Sequence, residues 1–203
     1  MNTSRWLVLA LGAVLSLTSV AAVAAKDPLP RKIYIAPAQM PKHPNIVGRG
    51  AIWAALLAGP IGAFASVGAN NDIETVYSEH LAKNHIDVGA DLTFELIDQL
   101  SARGFEIVSE DQAEATMQIA VANYGLSAIG SKGSIPYIAA NLVFRDREGE
   151  RLKVLAVMTA LVKDVEEKVL PQPVTSYFEN PKLLMDQMRK MNTLAVTAAL
   201  KKL

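Results

Sequence analysis

The sequence predicts an α+β fold, in which a mostly antiparallel sheet of four to five strands carries two main helices packed on one face. Three observations support this class. Short runs of β-branched and aromatic residues recur between turn signals from residue 105 to residue 162. Apolar residues recur at helical spacing in two longer stretches. A Gly- and Ala-rich apolar insert at residues 50–69 separates the first strand from the first helical stretch, so the predicted order is strand, insert, helix, four strands and helix.

The N-terminus has the layout of a secretory signal peptide. Arg5 is the only charged residue before Lys26, and an apolar stretch follows it and ends in a small-residue exit at residues 22–24. The apolar stretch is shorter than the ~20 residues that a spanning helix needs, so we expect cleavage rather than an uncleaved anchor. We predict that residues 1–25 form the signal peptide, with cleavage directly before Lys26 or one residue earlier, and that residues 26–203 form a single domain.

Composition limits the location and the partners. The chain contains no Cys, which excludes disulfides, thiolate metal sites, a Cys nucleophile and a lipid-modified N-terminal Cys. Together with the signal peptide, this predicts a periplasmic protein that is not a lipoprotein. The 20 basic and 20 acidic residues balance, so nucleic acid is not an expected partner.

The first predicted strand, at residues 33–35, lies between prolines that mark its ends, and residues 36–49 are expected to form an extended connection. After the insert, helical periodicity runs from residue 72 to residue 103 in two phases, either as one interrupted helix or as two helices in sequence. Gly104 is placed to end this helical region. The two apolar faces comprise Ile73, Val76, Tyr77 and Leu81, followed by Leu92, Leu96, Ile97 and Leu100.

Four predicted strands follow the helical region. Residues 105–108 form a short strand, and a polar connection leads from it into a second strand at residues 116–126. The next strand begins after a Gly- and Ser-rich turn at residues 127–134 and ends at the hairpin signal DREGE. The sequence therefore predicts a three-stranded antiparallel meander, completed by strands at residues 136–146 and 151–162.

The C-terminal region is expected to change from irregular chain to helix. Residues 170–181 are rich in proline and show no apolar period, and Tyr177 and Phe178 are expected to close one end of the core. An amphipathic helix is predicted from Pro181 onward, with Asn180 as its N-cap. Its apolar face comprises Leu184, Met188, Met191, Leu194, Ala195, Ala198 and Leu200.

Four features follow one another along the chain: KIYIAP, then ADLTFELIDQLSARGFEIV, then AEATMQIAVANYGL, then the meander and the last helix. This order of elements resembles a class of small bacterial envelope α/β domains that includes TolB N-terminal-like, LptE-like and YajG-like proteins. The resemblance covers residues 31–202 apart from the insert, without a signature motif. It implies a binding or assembly role in the envelope and no catalysis. The lipoproteins of this class carry a lipidated Cys that this chain lacks.

Candidate catalytic and metal-binding groups are few. His80 and His85 lie five residues apart, whereas two metal ligands on one helix prefer a separation of three or four. Asp87 and Asp91 are four residues apart, and we expect both to be solvated on a helix face. The sequence GSKGS lacks the full phosphate-loop pattern and is expected to be a turn between strands. We therefore expect no catalytic residue, no metal site and no cofactor.

The apolar insert at residues 50–69 contains no charged residue. Small residues recur every four positions along it, which in a helix would let another backbone approach closely. A membrane span is marginal, because Gly59-Pro60 interrupts the middle and the strong apolar residues contribute only about −3 kcal/mol of insertion energy. The alternatives are a buried or surface-packed hairpin, docking on a partner, and membrane insertion. The candidate contact residues are Ala51, Trp53, Ala55, Gly59, Pro60, Gly62, Ala63 and Phe64.

These observations predict a non-catalytic periplasmic or cell-envelope protein that works by binding or assembly. The expected partner is another envelope protein or a second copy of the chain, and the insert is expected to serve self-association, docking or membrane contact. One alternative is a carrier of apolar, lipid-like ligands enclosed by the meander and the helices. Another is a hydrolase whose pocket lies near His80, His85 and Asp87.

Overall fold

The computed structural model describes residues 28–47 and 73–203, which form a sheet with helices and two 3₁₀ turns. The strands are β1 (Lys32–Ile35), β2 (Asn45–Val47), β3 (Glu106–Ile107), β4 (Ala115–Ala128), β5 (Ser134–Asp146) and β6 (Arg151–Met158). The helices are α1 (Ile73–Lys83), α2 (Val88–Ser101), α3 (Val165–Lys168), α4 (Val174–Glu179) and α5 (Pro181–Leu200), and the 3₁₀ turns are Gly130–Lys132 and Thr159–Leu161.

The sheet is mixed and contains six strands within the described ranges. Its order is β3-β1-β4-β5-β6, and β2 pairs with the edge of β4 that also carries β1. β1 is parallel to β3 and β4, and β2 is parallel to β4, whereas the β4–β5 and β5–β6 pairs are antiparallel. The prediction of a mostly antiparallel sheet of four to five strands is therefore wrong. Helices α1 and α2 form a crossover to β3, and a crossover of that length returns the chain in the same direction.

The predicted meander is confirmed. β4 pairs with β5 along nearly its whole length, and β5 pairs with β6, with one register shift in each ladder. The expectation that residues 36–49 are a plain connection is wrong at Asn45–Val47, which pair with β4 as strand β2. Three residues are too few for the alternation of a strand to show in the sequence.

The helical region consists of two helices separated by a turn, and it ends as predicted at Gly104. This glycine has φ +81°. The Phe105 N–H donates to the Leu100 carbonyl oxygen, and the Gly104 N–H donates to the Ser101 carbonyl oxygen. These two bonds form a Schellman motif, which needs the left-handed conformation that glycine adopts without steric cost.

The C-terminal helix also begins as predicted. α5 starts at Pro181, and the Asn180 side-chain oxygen accepts a hydrogen bond from the Leu183 N–H at 3.1 Å. Met188 and Met191 are buried, so the methionines at these positions pack in the core.

The segment before α5 is more regular than the sequence predicts. The sequence predicts irregular chain at residues 170–181, but Val174–Glu179 form the six-residue helix α4. Tyr177 and Phe178 are buried, as expected, and the Tyr177 hydroxyl donates a hydrogen bond to the Ser134 carbonyl oxygen at 3.0 Å. A helix this short contains less than two apolar periods, so tertiary packing rather than sequence pattern determines it.

The main helices cover one face of the sheet, as expected. Along β6, Leu155 and Val157 point toward the helices and are buried, whereas Val154 and Met158 on the opposite face are exposed. α2 and α5 pack against each other, and α5 also contacts β5 and β6. The largest fully buried side chains of this core are Ile33, Tyr77, Leu92, Leu96, Leu100, Met117, Ile119, Phe144 and Tyr177.

Candidate binding groove

The residues predicted to contact a partner or the membrane lie outside the described part of the chain. They are Ala51, Trp53, Ala55, Gly59, Pro60, Gly62, Ala63 and Phe64 in the insert. Among the helices that the structure describes, none combines the length and the apolar character needed to cross a bilayer. The structure describes the two elements that flank the insert, β2 and α1.

Both flanks of residues 48–72 lie near Tyr137 on β5. On the β2 side, the Tyr137 hydroxyl donates a hydrogen bond to the Asn45 carbonyl oxygen at 3.0 Å. On the α1 side, the pKa of Tyr137 is raised by burial and further by the negative charge of Glu74, in the first turn of the helix. The chain therefore leaves β2 and enters α1 at the same end of the sheet.

A concave surface lies along the connector between β1 and β2. Gln39 fixes this connector to β4 through a parallel bridge with Ala120. The Gln39 N–H donates to the Ile119 carbonyl oxygen at 2.8 Å, and the Val121 N–H donates to the Gln39 carbonyl oxygen at 2.9 Å. These bonds position the connector beside the first turn of α2.

Gly89, in that first turn, allows the connector to lie against the helix. A Cβ at this position would be 3.1 Å from the Met40 sulfur and 3.4 Å from the Ala38 Cβ. A side chain larger than hydrogen would therefore displace Met40, because the contact is already tight. Met40 is 36% exposed, so its side chain lies at the surface over α2.

Two adjoining cavities, of about 530 Å³ and about 430 Å³, flank Met40, and we call them together the Met40 groove. Both volumes fall within the range of roughly 300–1,000 Å³ that is typical of small-molecule sites. Both cavities are lined by Met40 and Asp87. The first cavity is also lined by Lys42, Ser78, Leu81, Ala82, His85, Ile86, Val88 and Tyr124, and the second by Tyr34, Ile35, Pro37, Ala38, Gly89, Ala90, Thr93 and Phe94.

The turn between α1 and α2 supplies polar side chains to the first cavity. His85 has a left-handed conformation with φ +54°, and Asp87 caps α2 by accepting a hydrogen bond from the Ala90 N–H at 2.9 Å. Burial raises the pKa of Tyr124, and the charge of Asp87 raises it further, so the phenol stays protonated at neutral pH. The groove thus has a polar end and a mainly apolar end.

Ser78 lines the same cavity, but the structure does not activate it as a nucleophile. Its hydroxyl oxygen is buried and has no hydrogen-bond partner among the described residues. A nucleophilic serine requires a general base within hydrogen-bonding distance. His85 and Asp87 share the cavity, but neither makes that contact with Ser78.

His80 does not join His85 in the groove. Its ring centroid lies 4.6 Å from that of Phe178, and its Nδ1 is 3.4 Å from the Asn84 side-chain nitrogen. Burial lowers the pKa of His80 and favours the neutral ring. Of the three residues around which a hydrolase pocket was predicted, only His85 and Asp87 line one cavity.

The carboxylates of Asp87 and Asp91 have separate structural roles. Asp87 is the N-cap of α2, whereas the Asp91 Oδ1 lies 3.2 Å from the Arg189 Nη2 on α5. The expectation that both are solvated on one helix face is therefore wrong for Asp91, which packs against Arg189. Asp87 is exposed, as expected, but it caps the helix instead of lying on its face. Residues 28–47 and 73–203 contain no group of three or more His, Cys, Asp and Glu side chains able to hold a metal ion.

The sequence GSKGS forms a turn, as predicted. Gly130–Lys132 make a 3₁₀ turn between β4 and β5, and the Lys132 Nζ lies 2.8 Å from the Glu166 Oε2. This lysine is engaged by an acid of α3, and no helix follows the turn to present its backbone N–H groups to a phosphate.

Sequence reasoning missed the Met40 groove. Phe94 is 66% exposed. This exposure could have been predicted from the sequence, because Phe94 lies two residues from both Leu92 and Leu96 and therefore on the opposite side of the same helix. The exposure of Met40 could not be predicted in this way, because the connector that contains it shows no hydrophobic periodicity.

Comparisons with known proteins give little further information. No protein-family model and no curated protein matches the chain. Among solved structures, the chain is similar to the crystal structure of lipoprotein GNA1162 from Neisseria meningitidis, at 20% identity and a TM-score of 0.26, over 64% of this chain and 81% of that chain. A likeness at this level carries no argument about the fold or the function of this protein.

Proposed function

We propose that this protein is a non-catalytic binding or assembly component of the bacterial cell envelope, exported by the signal at residues 1–25. The insert at residues 50–69 provides its main contact surface, and the described domain supports that surface. The partner is another envelope protein, a second copy of the chain or the membrane, and nucleic acid is not a partner.

The position of the insert's flanks is the observation that carries the proposal. β2 and α1 contact each other, and the Asn45 carbonyl oxygen of β2 accepts a hydrogen bond from Tyr137, so the chain leaves β2 and enters α1 at one end of the sheet. Ile46 and Val76, on the two flanking elements, are buried in the same core as the sheet. The core therefore includes both flanks of the insert. An insert held in this way can contact a partner without being part of the core.

The chemistry of the described side chains supports binding over catalysis. The only serine in the Met40 groove lacks a base, and His80 packs against Phe178 outside it. The groove offers a protonated phenol, an imidazole and an apolar wall, which are groups that hold a ligand in place.

A second candidate function is a carrier of apolar ligands. Its support is the pair of cavities that share Met40, since a flexible thioether can move to admit ligands of different shape. In this alternative the ligand occupies the Met40 groove, and the insert is not needed for binding.

Deletion of residues 50–69 tests the proposal. The retained residues 48–49 and 70–72 can reach up to roughly 20 Å, and β2 and α1 contact each other, so we expect the shortened chain to connect them. We expect an unchanged circular dichroism spectrum and thermal midpoint, together with loss of self-association in sedimentation or of co-fractionation with membranes.

A control variant replaces residues 50–69 by a Gly-Ser segment of equal length, which keeps the spacing and removes the apolar side chains. It should behave like the deletion. Loss of the whole fold in both variants would instead support a buried hairpin, and unchanged association in both would contradict the insert as the contact surface.

A further inference from the structure

A second concave site lies at the opposite end of α2 from the Met40 groove, where the described chain begins. This cavity of about 440 Å³ is lined by the cations Arg31, Arg103 and Lys153 and by apolar side chains that include Leu29, Phe105 and Leu152. No acidic side chain lines it among the residues that the structure describes. We call it the basic cavity. The chain as a whole is electrically balanced, so this is a local concentration of positive charge.

Two of the three cations also have a structural role. The Arg31 Nη1 donates a hydrogen bond to the Arg103 carbonyl oxygen at 3.0 Å, and the Arg31 guanidinium lies 5.1 Å from the centre of the Phe105 ring. The Arg103 Nη1 donates to the Gln99 carbonyl oxygen at 2.7 Å. Both arginines therefore stabilise carbonyls at the C-terminal end of α2, where the helix dipole favours cations. Each guanidinium keeps further N–H donors, since it has five.

Lys153 has no such role. It makes no hydrogen bond or ion pair with the described residues, and it is half-buried on the helix-facing side of β6, two residues before Leu155. A register shift in the β5–β6 ladder places one extra residue, Leu152, between the pairs Phe144↔Lys153 and Arg145↔Arg151. A bulge of this kind redirects side chains, and both Leu152 and Lys153 line the cavity.

We propose that the basic cavity binds an amphiphile that carries an anionic head, carboxylate or phosphate, on an alkyl chain. The head contacts Lys153 and the free N–H donors of the two arginines, because charge-assisted hydrogen bonds to oxyanions are the strongest that these side chains make. The alkyl chain lies against Leu29, Phe105 and Leu152. The volume falls within the range of about 300–1,000 Å³ that is typical of small-molecule sites.

The basic cavity and the insert are independent. No lining residue of the basic cavity belongs to the insert, to β2 or to α1, and the proposal would stand if deletion of the insert had no effect on association. Both a free single-chain amphiphile and a bilayer lipid can present the proposed head, so the experiment includes one probe for each.

The test is isothermal titration of the purified protein with dodecyl phosphate below its micellar concentration, and sedimentation with phosphatidylglycerol vesicles. Two matched probes serve as controls. Dodecanol lacks the anionic head, and inorganic phosphate lacks the alkyl chain. We expect dodecyl phosphate or the vesicles to bind, and both matched probes to bind at least about tenfold more weakly. Binding of the monomer identifies a soluble ligand, and binding of the vesicles alone identifies a membrane lipid.

Lys153→Glu should weaken that binding by about tenfold or more, and Lys153→Gln should weaken it less, with an unchanged thermal midpoint in both. Lys163→Glu makes the same change of charge at an exposed position that does not line the cavity, and it should bind as the unmodified protein does. Equal binding of dodecanol, equal loss in Lys163→Glu, or no binding of either anionic probe would overturn the proposal.

Discussion

The two ends of helix α2 differ in what their charged side chains do. The helix has 14 residues and so is about 21 Å long, with the Met40 groove at its first turn and the basic cavity at its last. At the first turn, the carboxylate of Asp87 is used by the helix itself as the N-cap. At the last turn, Arg31 and Arg103 each donate a hydrogen bond to a backbone carbonyl oxygen at the end of the helix. Lys153 makes no hydrogen bond or ion pair with the described residues.

This difference shows how a charged group near a helix end should be interpreted. Capping and the helix dipole account for most such groups, and they do so at both ends of α2. A ligand site is indicated by a charge that remains after the local structure has been explained. By that criterion the basic cavity calls for an anion, because Lys153 is not engaged and no acidic side chain of the described residues lines the cavity. The Met40 groove is lined by charges of both signs, Lys42 and Asp87.

The largest expected effect comes from the middle of α2, which holds the two ends at a fixed separation. Leu96 is fully buried in the core, so Leu96→Ala should lower the free energy of unfolding by about 2–5 kcal/mol. Denaturant unfolding measures this directly. Phe94→Ala, on the exposed side of the same helix, is the matched control and should cost less than about 0.5 kcal/mol. Similar losses in both variants would contradict the assigned packing of α2.

A smaller effect is expected at the first turn. Asp87→Ala removes the N-cap and should cost about 1 kcal/mol of stability. Asp98→Ala removes a carboxylate from an exposed position in the last turn of the same helix, where the dipole disfavours negative charge, and should be neutral or slightly stabilising. If chemical denaturation gave the reverse order, the capping role of Asp87 would be wrong, and its charge would be available for a ligand.

The sequence was sufficient to predict features that depend on neighbouring residues. Asn180 as the cap of α5, Gly104 as the end of α2 and the burial of Leu92, Leu96 and Leu100 all follow from local spacing. The three-stranded meander also follows, because each of its connections is short.

Features that depend on distant pairing could not be predicted. The position of β1 between β3 and β4, and the pairing of β2, arise from contacts far apart in sequence. The same holds for the basic cavity, which brings together Arg31 directly before β1, Arg103 in the turn after α2 and Lys153 of β6. No spacing rule connects residues that only the folded sheet and helices place side by side.

The central claim is that residues 50–69 contact a partner outside this domain. It is tested most directly by placing a photo-crosslinking residue at Phe64 in intact cells, with Glu148 in the exposed β5–β6 turn as the control position. The account predicts a covalent adduct to another polypeptide or to lipid from position 64 and none from position 148. Crosslinks from position 64 that remain within the same chain, or equal yields at both positions, would contradict it.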